Sequence, residues 1–181
     1  MKTFTTLLLV SLSLLLSACG GGVTSGASKL SSSDYLLHNV SVWNGVVTII
    51  DPWVSGERGQ SLIADAVAHK PLGGYKTALG SQRKALAANT QANTAVASGV
   101  PDNAKDLDTK LSAYLKSADT MMAALERFAS LPDGYTNAEL EPLAKDLESV
   151  SNQLNTDMEA LNTAQRAYSA EHKIPLQQAR Q

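Results

Sequence analysis

Two leucine-rich stripes at helical spacing, separated by one short turn, constrain this chain more than any other feature. Leu107, Leu111, Tyr114, Leu115, Ala118, Met121, Met122, Leu125 and Phe128 recur every three or four residues. Leu140, Leu143, Leu147, Val150, Leu154, Met158, Leu161 and Tyr168 do the same. That period gathers each set on one side of an α-helix, which must be covered to be stable. Between them, Leu131-Pro132-Asp133-Gly134 has turn composition. Thr136 and Glu139 form a T-x-x-E capping box that starts the second helix. A turn this short folds the two helices back antiparallel. The second helix should reach about His172, with Pro175 closing it, and would be about 50 Å long. The same stripes could pair between chains as a coiled coil. Closure within one chain is favoured, because the short loop brings them together at low entropic cost.

Upstream the helical signal continues in weaker form. Tyr35, Leu36, Leu37, Val40, Trp43, Val47 and Ile50 mark a first helix, capped by Ser33 or Asp34 and widened by Val42, Val46 and Ile49. Its β-branched run leaves residues 46–50 open to a strand reading as well. Pro52 should end it, since the residue before proline disfavours the α region. Gly56 to His69 carries a shorter helical pattern with Leu62, Ile63, Ala66 and Val67 on one face, and Pro71-Leu72-Gly73-Gly74 breaks it. Tyr75 to Ser98 is rich in alanine, asparagine and glutamine, with a thin stripe of Tyr75, Leu79, Leu86 and Val96, so a helix there would rely on packing. The expected fold is all-α: an elongated up-down bundle of about four long helices plus one short one.

The N-terminus is of a different kind. After Met1-Lys2-Thr3, Leu7 to Leu16 is almost wholly apolar and then gives way to Leu16-Ser17-Ala18-Cys19. About ten apolar residues fall short of the roughly 20 that cross a bilayer and have the proportions of a signal h-region. The four residues ending in Cys19 resemble the lipobox of bacterial lipoproteins: a branched apolar residue, two small ones, then cysteine. That resemblance implies cleavage before Cys19, a diacylglycerol thioether on its sulfur and acylation (a palmitate-type chain) of the freed amine. Two or three acyl chains anchor stably where one is marginal. Cys19 is the only cysteine, so it has no intramolecular disulfide partner. Gly20 rather than aspartate follows it. By the sorting rule of enterobacteria-like lipoproteins this implies the outer membrane, with either the periplasmic face or the cell surface open.

Three regions follow: a signal peptide, 1–18; a lipidated Gly/Ser-rich tether, 19–33; and a helical bundle domain, 34–181. Gly20 to Ser33 (GGGVTSGASKLSSS) has the composition of a flexible coil spanning about 20 Å. Cleavage would leave 163 residues, enough for one domain with a real core. The net charge of −2 becomes −3 once Lys2 is removed, and Arg83-Lys84 is the densest cationic pair. Nucleic-acid binding needs a cationic face, so none is expected.

Motifs that would carry chemistry are few. His38, His69 and His172 show no metal-ligand spacing. Ser81-Gln82-Arg83-Lys84 matches S-x-x-K without the companion motifs of penicillin-binding enzymes, and Gly73-Gly74-Tyr75-Lys76-Thr77 lacks phosphate-loop spacing. Asp102, Asn103, Asp106 and Asp108 lack the glycine and glutamate of a calcium loop, since Leu107 and Ala113 stand at those positions. They suit a helix N-terminus instead. No catalytic residue, metal site or cofactor is therefore expected. Met121-Met122 suits a core. Trp43 and Trp53 stand out in a chain with 5% aromatic residues. Asp51 to Gly59 reads as the longest irregular stretch, and Trp53, Glu57 and Arg58 make it the candidate partner-binding loop.

The layout resembles the YiiG-like bacterial lipoproteins, through Cys19, Tyr35 to Asn44 (YLLHNVSVWN) and the stripe pair from Leu107 to Tyr168. The resemblance implies a lipid-anchored helical fold at the cell envelope and transfers no catalytic residue. The expected function is a non-enzymatic, partner-binding or scaffold lipoprotein, held to the membrane by its lipid and meeting an envelope protein. The alternatives are an inhibitor or immunity-type protein at the envelope and a small envelope hydrolase. Replacing the lipidated thiol, Cys19→Ala, should leave a membrane-bound precursor with its signal attached, visible by mass spectrometry. A normally matured product would refute lipidation.

Overall fold

The computed structural model describes residues 29–176; Cys19 and the signal lie outside them. Five α-helices account for most of the described chain: α1 (Ser32–Val54), α2 (Glu57–Val67), α3 (Gly73–Ala95), α4 (Lys105–Phe128) and α5 (Asn137–His172). Single 3-10 turns, Ala97–Gly99 and Asp102–Ala104, link α3 to α4. The described residues contain no strand, so residues 46–50 are helical. Burial explains the choice: Val42, Val46, Ile50 and Trp53 fall three or four residues apart and are all buried. A strand would have put Thr48 on the same face as Val46 and Ile50, whereas Thr48 is exposed.

The two leucine stripes pack on one another as expected. Leu111, Tyr114, Ala118, Met122 and Leu125 on α4 and Leu147, Leu154, Leu161 and Tyr168 on α5 all belong to one core. The capping box forms: the Thr136 amide and hydroxyl both donate to Glu139 Oε2, at 2.8 and 2.9 Å. The amide bond above all holds the Glu139 carboxyl below its ordinary pKa. At the other end Lys173 takes the left-handed conformation (φ 55°) and Ile174 N–H bonds Ser169 C=O, closing α5 where Pro175 follows. With 36 residues α5 is about 54 Å long.

Contacts at the two ends give the direction of every helix. His38 on α1 meets Asn93 on α3, while Trp53 meets Tyr75. α3 therefore runs antiparallel to α1. Tyr35 bonds Asp108 at the start of α4, Arg83 on α3 reaches Asp119 and Glu126, and Arg127 at the end of α4 reaches Asp146 on α5. The order α1, α3, α4, α5 is thus up, down, up, down. Each helix touches the next around the ring, and α1 also touches α4 across it. That diagonal contact leaves α3 and α5 as the two outer edges. The first described residues, Lys29 and Leu30, and the C-terminus of α5 lie at the same end, which we term the proximal end; α2 lies at the distal end.

Several expectations are corrected. The N-cap of α1 is Ser31, not Ser33 or Asp34: its hydroxyl accepts the Asp34 amide at 3.1 Å. The bundle also holds the last stretch of the expected tether, since Leu30 N–H bonds Gly99 C=O and Lys29 pairs with Asp102. Two cations on Asp102, Lys29 and Lys105, lower its carboxyl to a pKa of about 2. Pro52 does not end α1. Helix continues to Val54 because Trp53, 2% exposed, is pulled into the core, and the Ser55 and Gly56 amides both bond Asp51 C=O. Only Leu62 and Ala66 of the expected α2 face are buried; Ile63 and Val67 are 43% and 70% exposed. Gly59, Leu62 and Ala66 form the buried edge instead. Along α3 the inward stripe is Leu79, Leu86 and Asn93, seven residues apart, and Val96 lies beyond the helix end.

The α1–α2 corner works only because Gly59 has no side chain. A Cβ there would sit 2.0 Å from the Trp53 carbonyl oxygen, a backbone atom that cannot swing aside. Gly59→Ala should therefore cost about 1–3 kcal/mol through forced backbone movement. Gly74→Ala, with nothing within 4 Å, should be neutral or gain up to about 1 kcal/mol. Thermal unfolding of the two variants checks the contrast.

Candidate functional site

The stretch Asp51 to Gly59, expected to be a recognition loop, is a tight corner between two helices with only Ser55 and Gly56 outside them. Trp53 is buried against Tyr75, edge to face, with ring centroids 6.4 Å apart. Arg58 lies over the outer side of the indole, its Cζ 5.7 Å from the ring centroid, a cation–π contact. Glu57 is exposed on the first turn of α2, where a carboxylate suits the positive end of the helix. The three residues are together, but the tryptophan anchors the corner rather than offering itself to a partner.

The same distal end carries a second set of polar contacts. Tyr135, from the α4–α5 turn, donates its hydroxyl to Ala66 C=O at 2.8 Å, satisfying a carbonyl at the end of α2. In return the His69 Nδ1–H donates to Tyr135 C=O at 3.1 Å. Asp65 accepts Tyr75 OH at 2.6 Å and Lys70 Nζ at 2.8 Å. Those two bonds hold its carboxyl below the ordinary range. All these groups are used in tying α2 to the bundle.

The proximal end holds a polar layer where a core would be expected to be apolar. Asn39 and Gln165, 0% and 4% exposed, share a hydrogen bond, Nε2 to Oδ1 at 2.9 Å. The Asn39 Nδ2 has no partner. Tyr35 donates to Asp108 Oδ1 at 2.7 Å. Burial first, and that carboxylate second, push the phenol well above its ordinary pKa. His38 Nε2–H faces Asn93 Oδ1 at 3.2 Å. Asn103 gathers Ser32, Tyr168 and His172 around its amide. Asp102, Asn103 and Asp108, considered together as a calcium-like run, are thus engaged separately, and Asp106 stands exposed on the first turn of α4. Among the described residues no group of three His, Cys, Asp or Glu side chains could hold a metal ion. His38 and His172 belong to this end and His69 to the other.

A cleft of about 480 Å³ opens between the proximal halves of α3 and α4. Leu86 and Leu115 form its apolar floor. Thr90, Gln91 and Thr94 line the α3 side, Ser112, Lys116 and Asp119 the α4 side. Asp119 is held from the next turn of α3 by Arg83, which bonds its carboxylate through two nitrogens and Glu126 through a third at 3.0 Å. These two carboxylates raise the guanidinium pKa further above its ordinary value. Ser81 and Lys84 of the S-x-x-K string form no catalytic pair here: the serine hydroxyl donates to Thr77 C=O at 3.1 Å, as many helical serines do.

The sequence reading missed this cleft and the polar layer. A signal existed for the layer: Asn93 continues the seven-residue series of Leu79 and Leu86, and Gln165 stands between Leu161 and Tyr168 on the α5 stripe. A polar residue at a core position asks for a polar partner. The cleft had no such mark, since its lining alternates between two helices far apart in sequence.

Asn39→Leu should destabilise the fold by about 1–3 kcal/mol, because it strips the buried Gln165 amide of its acceptor. The double variant Asn39→Leu, Gln165→Leu should recover part of that loss. A thermal-unfolding double-mutant cycle measures the coupling, and purely additive losses would refute it. No helix among the described residues is long and apolar enough to cross a membrane, and the chain matches no protein-family profile, no curated protein sequence and no solved structure.

Proposed function

We propose that this chain is a lipid-anchored protein of the cell envelope that works by binding a protein partner rather than by catalysis. Two features support the reading. The lipobox-like run ending in Cys19 supplies the address, with Gly20 favouring the outer membrane. The observation that carries the binding half is the α3–α4 cleft: an apolar floor of Leu86 and Leu115 inside a rim of hydroxyl, amide and charged groups. Recognition surfaces commonly have that make-up, an apolar centre within a polar rim. It lies on the side of α3 next to α4, away from α2 and the distal corner. Of the charged side chains around it, Arg83, Asp119 and Glu126 are already joined to one another and brace the cleft, while Lys116 stands exposed at its rim.

Affinity capture from detergent-solubilised membranes tests the reading. The unaltered chain should bring down one stoichiometric partner. Filling the cleft with Ala87→Trp and Gln91→Trp, both at exposed positions, should cut the yield at least tenfold with helicity and melting unchanged. Retention of the partner by that variant would move the binding site elsewhere. Absence of any partner would overturn the binding reading and leave a small hydrolase as its successor.

A further inference from the structure

The two outer edges of the bundle carry opposite charge. α3 has Lys76, Arg83 and Lys84 and no acid in 23 residues. α5 has Glu139, Glu141, Asp146, Glu148, Asp157, Glu159 and Glu171 against only Lys145 and Arg166. Both helices run antiparallel to α1, so they run parallel to each other on opposite sides of one molecule. Their heights can be compared through α1. His38 bonds Asn93 and the adjacent Asn39 bonds Gln165, which puts Asn93 and Gln165 level to within about one helical turn. Going toward the distal end by seventeen residues on each helix reaches Lys76 and Glu148. Going by nine reaches Lys84 and Thr156, with Glu159 one turn above. Lys76, Lys84, Glu148 and Glu159 are all exposed, and no ion pair joins any of them to another described residue at 4 Å.

From this complementarity we propose that copies of the chain stand side by side on the membrane in a row, α3 of each against α5 of the next. The occupant of the open α3 edge is a second copy. The inference rests on the lipid anchor of the preceding reading. Anchored copies share one orientation, and a contact between two parallel helices at equal height is the kind that one shared orientation allows. An α3-to-α3 contact about a two-fold axis would instead set the cations of one α3 against those of the other, with no carboxylate on either helix to pair them. The solvent side of α3 around Lys84 is lined by Ser81, Ala85, Ala88, Gln91, Ala92 and Ala95, mostly small side chains that let a neighbouring helix approach. Because the contact joins opposite edges, it leaves a free α3 at one end of the row and a free α5 at the other, and so propagates.

The test uses full-length protein in its own membranes, co-expressed with two different epitope tags. A zero-length carbodiimide couples a lysine amine to a carboxylate only where the two already touch. The expected result is a ladder of mixed-tag dimers and higher species, with junction peptides joining Lys84 to Glu159 and Lys76 to Glu148. Lys84→Glu should lower the yield at least fivefold, and adding Glu159→Lys to the same chain should restore it. Raising the salt should weaken the ladder, since exposed charges are screened. Absence of mixed-tag adducts, indifference to Lys84→Glu, or Lys84 junctions to carboxylates of helices other than α5 would each overturn the row. If those appear while the chain still captures its stoichiometric partner, the row alone has failed. A ladder without any such partner removes the partner reading and leaves the row standing.

Discussion

Everything in this molecule leans on the antiparallel pair α4–α5. Burying a leucine-sized side chain contributes about 1.5–3 kcal/mol, and this pair buries a run of them from Leu107 to Tyr168 behind one short turn. No other pair of helices is so well supplied. α1 contributes a broad apolar face but carries polar groups at Tyr35 and Asn39, and α3 offers the core little beyond Leu79, Leu86 and the asparagine below them. Both become helices of fixed position because the α4–α5 platform gives them something to lie on, consistent with helical stability coming more from packing than from propensity. α2 is weaker still and is tied down by side chains from elsewhere, Tyr135 above all.

What was legible in the sequence follows from that ranking. The stripes of α4 and α5, the capping box at Thr136 and the end near His172 were readable because local signals and packing agree there. The distal corner was not. A proline, two glycines and a run of charges from Asp51 to Gly59 have the local composition of a loop. The decisive term was the burial of Trp53, a long-range contact that no local window contains. The same reasoning explains Ile63 and Val67: an apolar residue on a short helix predicts burial only if something stands opposite it, and here nothing described does. The α3–α4 cleft was invisible for a related cause, since its two walls lie some thirty residues apart and neither is unusual alone.

The proximal polar layer has a different character from the leucine platform. Apolar contacts tolerate sliding by a helical turn, whereas Asn39 meets Gln165 and His38 meets Asn93 in one register only. The unpaired donor left on Asn39 is a cost of order 1–3 kcal/mol when buried. The layer is therefore poor as a source of stability and good as an index of alignment. It sets the heights of α3 and α5 against α1, and with them the spacing of the charges that the two outer edges present.

That both described chain ends leave from the same end of the bundle has a mechanical meaning. Tension between the first residues of α1 and anything gripping the distal corner or the flank of α3 would run along the helix axes, and separation would require many core contacts to shear at once. Tension between the N-terminus and the C-terminus would act across the bundle instead, prising α1 from α5 one turn at a time, with the Asn39–Gln165 bond among the first to part. The fold is stiff to a load applied between its N-terminal and distal ends and soft to one that spreads its two chain ends, a difference set by connectivity rather than by the strength of any single contact.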